Sequence, residues 1–169
     1  IVEGLRILLK MFPNAKGILA IEEEQQEAIT SLQMILADAR NMKITPLRRK
    51  YPQDMERMLI YACTGKKINS KKTAEDARCI VLNSDTIYAI CNAVTFGKPM
   101  MKRLLTVSGE CVKKPMNMEV SIGTMLSELV NAAGGLEESV DKLIAGGPMS
   151  GTLLKDLEVP VTKEISAIL

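Results

Sequence analysis

Histidine is absent from all 169 residues, which removes imidazole acid–base chemistry, His-containing triads and His-ligated metals. Tryptophan is absent too, and aromatic residues make up only 3%, so platforms for stacking planar rings are scarce. The four cysteines, Cys63, Cys79, Cys91 and Cys111, stand far apart with no CxxC pair. Iron–sulfur and zinc sites usually announce themselves through close thiolate spacing, so no metal site is expected within this chain. Cys63, Cys79 and Cys91 lie among apolar neighbours and read as buried free thiols. No apolar run approaches the ~20 residues that span a bilayer, so the chain is not expected to insert into a membrane. A net charge of +2 gives no reason to expect nucleic acid or an anionic membrane as partner.

What remains has an ordinary globular composition, with 47% apolar and 25% charged residues. The length suits one medium domain or two small ones. The eleven methionines read as core filling rather than copper ligands. The chain opens in mid-helix with IVEGLRILLKMFP and no initiator methionine, which reads as a segment of a longer protein.

Val2 to Phe12 has apolar residues at helical spacing and stops at Pro13. Gly17 to Ile21 is a short, nearly all-apolar run that suits a buried parallel strand. Glu22 to Ala39 reads as a helix, with Glu22, Glu23 and Glu24 at its N-terminal end and Ile29, Leu32, Ile35, Leu36 and Ala39 on its apolar face. Lys43 to Arg48 is a weak strand, Gln53 to Cys63 an amphipathic helix stopped by Gly65, Cys79 to Leu82 another strand, and Asp85 to Phe96 a helix. Alternating strands and helices predict a Rossmann-like α/β layer domain over residues 1–102.

The grammar changes near Lys102-Arg103. Two β-type runs, LLTV and MEVSI, are separated by Ser-Gly and Lys-Lys-Pro turn chemistry. An amphipathic helix carrying Met125, Leu126, Leu129, Val130 and Ala133 follows, and Gly134-Gly135 ends it. A returning strand, Lys142 to Ala145, completes a β-grasp-like unit over residues 103–169.

The wording VSGECVKKPMNMEVSIGT, ELVNAAGG, GGPMSG and VPVTK resembles the soluble-ligand-binding β-grasp (SLBB) module of the RnfC family. RnfC is the peripheral NADH-oxidising subunit of the ion-pumping Rnf complex, related to the NADH-binding flavoprotein subunit of complex I. The first domain is similar to the same family. KYPQDMERMLIYACTGKKI resembles the segment usually written KYPQGGEKQLIYALTG, and CIVLNSDTIYAICNAV resembles a strand-to-helix junction usually written N-V-G-T. The family includes divergent members such as the proline-reductase-associated PrdC.

The resemblance implies an FMN and NADH site in the first domain, with Tyr51, Glu56, Asn83 and Thr86 as cofactor-binding residues. Asn83 would bond ribityl hydroxyls, Thr86 a phosphate at a helix N-terminus, and Tyr51 would pack beside the isoalloxazine. Asp85 and Thr86 read equally well as ordinary helix-capping residues. Glycines of the family are replaced at Asp54-Met55, within Lys71–Ala74 (a Gly-Gly-Leu-Pro-like loop in the family) and at Asp85 (the glycine of N-V-G-T). Glycine permits close backbone approach, so these side chains narrow the space, and Asp54 and Asp85 would repel a flavin phosphate.

Two functions therefore follow. One is an electron-transfer protein relaying electrons from NADH and flavin toward 4Fe-4S clusters, which the family carries in a C-terminal part beyond this chain. The other is a binding or assembly module of the same descent, without an NADH or FMN site, serving a partner such as proline reductase. In either case the partners expected are other subunits of a redox complex or a partner reductase, in the cytoplasm and peripheral to a membrane complex. The chain alone is expected to perform no redox turnover.

Two further motifs read differently. Gly146 to Gly151 looks like a phosphate loop but lacks the Gly-Lys-Ser/Thr ending. Lys66, Lys67, Lys71 and Lys72 form a basic loop, read as a solvated connection or as a docking point for an acidic electron carrier.

Overall fold

The computed structural model describes residues 1–69, 71–137 and 140–169. The chain forms two compact units, Ile1–Lys98 and Pro99–Leu169, and both mix helices with sheet.

In the first unit, α1 (Val2–Met11) buries Val2, Gly4 and Leu9, and its exposed face carries the Arg6–Glu3 pair at 2.6 Å. It ends at Phe12, as expected for a residue preceding proline. β1 (Gly17–Glu22) and β2 (Met42–Leu47) pair in parallel from Gly17 opposite Met42 to Glu22 opposite Leu47. The helix α2 (Gln26–Leu36) crosses between them, burying Ile29 and Leu36, so β1–α2–β2 is a crossover unit of the kind a parallel pair requires. Then come α3 (Glu56–Thr64) and α4 (Ser84–Phe96), closed by Gly65 at φ 73° and Gly97 at φ 64°. Both are left-handed positions that glycine adopts at little cost.

Three expectations need correcting here. Glu22 ends β1 instead of starting a helix, and α2 begins at Gln26 with Glu27 as its first-turn acid. The strand has the stronger claim on Glu22, because Glu23 N–H continues the pairing to Leu47 O at 2.8 Å. Cys79 to Leu82 is not a strand. Its first amide is taken by a local turn (Cys79 N to Ala74 O, 3.0 Å), and Ile80 is exposed. A strand exists only through a neighbour's hydrogen bonds, and the sheet of this unit holds β1 and β2. The cysteines remain thiols, but all four are half-buried rather than buried.

The second unit is a five-stranded sheet in the order β4-β3-β7-β5-β6. Its strands are β3 (Lys102–Val107), β4 (Met116–Ser121), β5 (Leu143–Ala145), β6 (Thr152–Leu154) and β7 (Ala167–Ile168). β3 and β4 form an antiparallel pair, and β7 lies parallel to β3. The helix α5 (Leu126–Ala132) buries Leu126, Leu129 and Val130. These join Leu105, Val107, Val120, Ala133, Val161 and Ile168 in one apolar cluster. Leu126, fully buried, and Leu105 are its largest closed-off side chains. Lys102 and Arg103, where the sequence grammar changes, open β3 inside this unit.

Candidate functional site

Ligands of parallel α/β sheets bind beyond the carboxyl ends of the strands. Here those ends are Glu22 of β1 and Leu47 of β2. The chain leaves β2 through Arg48, Arg49 and Lys50, so cations stand at the strand ends. Arg49 Nη1 reaches Glu24 Oε2 at 3.7 Å, tying the two exit segments together. A tight turn follows, with Gln53 N donating to Lys50 O at 2.9 Å and Met55 N to Pro52 O at 3.1 Å. Two of the expected residues lie here. Tyr51 lies within the turn, joined to Pro52 by a cis peptide, and Glu56 follows it as the first residue of α3. Both are exposed.

The other two expected residues sit together at the start of α4. Asn83 is the N-cap, with φ −70° and ψ 152°, and its carbonyl accepts from Ile87 N at 3.2 Å. Its side chain makes no capping hydrogen bond. Asp85 lies in the first turn, and Thr86, one residue on, is exposed. The capping reading of Asp85 and Thr86 is thus corrected: the cap position is Asn83. The structure brings the four residues together as two pairs, and among the described residues no hydrogen bond joins one pair to the other.

Behind Tyr51 and Glu56, α3 is held in place through one face and through Arg57. Its inner face carries Ile60, with Leu59 and Cys63 half-buried. Burial pushes the Cys63 thiol above its ordinary range, and the Lys43 ammonium draws it partly back. The basic loop after Gly65 is tied down rather than loose. Lys66 Nζ donates to Ala77 O at 2.6 Å, and Arg57 Nη2 donates to Lys72 O at 3.3 Å. Sequence periodicity cannot reveal such ties, because each joins a side chain to a backbone carbonyl more than ten residues away.

In the second unit, a cleft of about 420 Å³ is lined by Gly146, Gly147, Ser150, Thr152, Thr162 and Glu164, among others. The Gly146–Gly151 turn closes on itself, with Gly151 N donating to Gly147 O at 2.7 Å, and leads into β6 rather than a helix. The cleft carries the Glu164 carboxylate and no lysine or arginine among its lining residues. Its chemistry is therefore unlike that of a phosphate loop.

The family model of the Nuo51 FMN-binding domain matches residues 1–92, and that of the SLBB domain matches residues 104–153. The chain belongs to the Nuo51 FMN-binding family, in its RnfC branch. Over all 169 residues it is 34% identical to the RnfC protein of the proton-translocating ferredoxin:NAD(+) oxidoreductase complex of Clostridium ljungdahlii, covering 37% of that protein. It is 32% identical to the RnfC protein of the Na(+)-translocating ferredoxin:NAD(+) oxidoreductase complex of Acetobacterium woodii, covering 38% of it. The RnfC protein of the ion-translocating oxidoreductase complex of Citrobacter koseri is 34% identical, with 24% covered. The chain thus spans well under half the length of these RnfC relatives.

The residues at both pairs suit the cofactor in the family's name. A helix N-terminus, an uncommitted amide, a hydroxyl and three consecutive cations are the donors that a phosphate and a polyol chain require. Asp54 and Asp85 oppose them with negative charge. Glu56 adds a further carboxylate and Arg49 is paired with Glu24, so the donor types present suit the phosphate and ribityl chain of FMN mainly through Asn83, Thr86 and the α4 N-terminus. Among the described residues no helix is long and apolar enough to cross a membrane.

Proposed function

We propose that this chain is the flavin- and nucleotide-binding portion of an RnfC-type electron-transfer subunit. Residues 1–102 would form its cofactor domain and residues 103–169 an SLBB domain of β-grasp type. The match of residues 1–92 to the Nuo51 FMN-binding domain carries this reading. The open N-terminus of α4, where Asn83 caps with its backbone and keeps its amide uncommitted, supports it.

In this reading Asn83 and Thr86 hold the ribityl and phosphate groups of FMN, and Tyr51 and Glu56 flank the ring and the nucleotide. Bound FMN would supply the conversion between a two-electron hydride donor and one-electron carriers. The carriers would be 4Fe-4S clusters elsewhere in the full-length protein. The named activities of the Clostridium and Acetobacterium relatives support NADH as the nucleotide and an ion-translocating complex as the host. Other subunits of that complex would then be the partners, with the chain peripheral to the membrane on its cytoplasmic side.

The test is flavin retention. Asn83→Ala and Thr86→Ala should each weaken FMN binding about tenfold or more while leaving the circular dichroism and melting of the protein intact. Unchanged FMN affinity in both variants would remove these residues from the site.

A second reading rests on Asp54, Met55 and Asp85, side chains at positions where the family resemblance implies glycine. It makes the chain an assembly module that relays electrons for a partner reductase without binding NADH or FMN itself. Replacing Asp54-Met55 with Gly-Gly separates the two. Flavin binding appearing only in that variant favours the assembly module, and binding already present in the unaltered chain favours the cofactor domain.

A further inference from the structure

Residues 40–78 hold eleven lysines and arginines against four aspartates and glutamates, although the whole chain is only +2. This one segment therefore carries a charge of +7, and the rest of the chain is net acidic. Of the four acids, Asp76 is turned back into its own loop, where Oδ2 accepts from Thr73 N at 2.9 Å. In sequence, the cations flank α3 (Glu56–Thr64) on both sides. The Arg57 bond to Lys72 O and the Lys66 bond to Ala77 O fold the loop back along this helix. Lys67, Lys71 and Lys72 are all exposed.

The outward face of α3 is not polar. Ile60 and Cys63 point inward, which puts Met58 and Tyr61, three residues apart, at the centre of the opposite face. They are 43% and 49% exposed. Large apolar side chains are left in water on a helix whose other face is already packed, so neither side chain is serving the core. An exposed methionine and tyrosine on a helix to which a lysine-rich loop is tied through Arg57 match the anatomy of a protein interface, with an apolar centre and a charged rim. They do not match a surface selected only for solubility.

We propose that the outward face of α3 docks an acidic protein surface, with Met58 and Tyr61 as the apolar anchors and Lys67, Lys71 and Lys72 as the steering rim. Charge complementarity selects the occupant. A +7 segment attracts an anionic partner over about a Debye length, roughly 10 Å at moderate salt, and the anchors hold it after contact. An anionic bilayer would use the same cations, but two anchors on a short helix offer it little apolar insertion. This inference stands on exposure and charge alone and does not depend on FMN being bound.

The experiment uses the full chain and a fluorescent helical peptide of ~20 residues, long enough to hold a helix, with glutamates along one face and leucines along the other. A control peptide carries lysine at every glutamate position. The unaltered protein should bind the acidic peptide and not the basic one, with affinity falling at least about tenfold on raising salt from 50 to 300 mM, by counter-ion screening of the rim. The double variant Met58→Ser/Tyr61→Ser should weaken binding at every salt concentration. The triple variant Lys67→Glu/Lys71→Glu/Lys72→Glu should abolish its salt-dependent part. All five side chains are exposed, so the variants should melt as the parent does.

Failure of the unaltered protein to bind the acidic peptide, or equal binding by the variants, would overturn the proposal. Binding to phosphatidylserine vesicles that requires the same five residues, with none to the peptide, would replace it with a membrane surface. Self-association in sedimentation that the Met58/Tyr61 variant loses, again without peptide binding, would replace it with a second copy of the chain.

Discussion

Gly4 of α1 lies directly against Ile87 of α4: a β-carbon on Gly4 would stand 2.8 Å from Ile87 Cγ2 and closer still to the Ile87 carbonyl oxygen. The two helices therefore cross at a point where only hydrogen fits, and the crossing sits one residue beyond Thr86. The position of the α4 N-terminus depends on this contact. Gly4→Ala should destabilise the first unit by about 1–3 kcal/mol, the usual cost of forcing a methyl into a packed contact. Urea denaturation checks this. A stability within ~0.5 kcal/mol of the parent would mean the helices separate freely and do not fix the start of α4.

Asp85 occupies the first turn of α4. A carboxylate there favours the helix by about 0.3–1 kcal/mol and opposes any phosphate at the same end. Asp85→Asn should therefore lower stability slightly while raising FMN affinity severalfold. Calorimetric titration and thermal melting measure both. An affinity that falls instead would show Asp85 to be a ligand-holding residue rather than an obstacle.

Cys63 should respond to pH in a defined direction. Burial raises its pKa, outweighing the opposite pull of Lys43. For a raised folded-state value, the stabilisation is complete below the unfolded thiol's range, about 8.5, and fades as pH rises through the folded value. Stability should thus decline on the alkaline side. Iodoacetamide should label Cys63 more slowly in the folded protein than in urea near pH 8.5, and Lys43→Met should slow it further by removing the favourable charge. A Lys43→Met rate equal to or above that of the parent would contradict the assignment.

In the second unit, Leu126 is fully buried beneath the sheet and packs with Leu105 and Ile168 in one cluster. Leu126→Ala should cost about 2–5 kcal/mol, as cavity-forming truncations do. Met149→Ala, on a side chain 77% exposed, should change stability by less than ~0.5 kcal/mol. Similar losses for both would mean that α5 does not anchor this core.

Much of the architecture was legible because helices and long strands repeat a period. The Val2–Phe12 pattern became α1, Lys43–Arg48 became β2 with a shift of one residue, and Gly134 follows α5 as a helix-ending glycine. β6 and β7 were not legible, because segments of three and two residues hold no period and exist only through partners far along the chain. Cys79–Leu82 failed for the converse reason, having a strand's composition without a partner's hydrogen bonds. At the candidate site, it was the family resemblance that pointed to Asn83 and Thr86. Only the folded backbone could tell that Asn83 takes the cap position with its side chain uncommitted. The ties from Arg57 and Lys66 that shape the basic loop were equally beyond periodicity.

The most direct test of the central claim is a titration of the full chain with FMN, followed by anaerobic addition of NADH, read by flavin absorbance. The cofactor-domain account predicts saturable binding of one FMN per chain, weakened by Asn83→Ala, and bleaching of the bound flavin by NADH. Absence of saturable FMN binding by the unaltered, folded protein would contradict it and leave the assembly-module reading in its place.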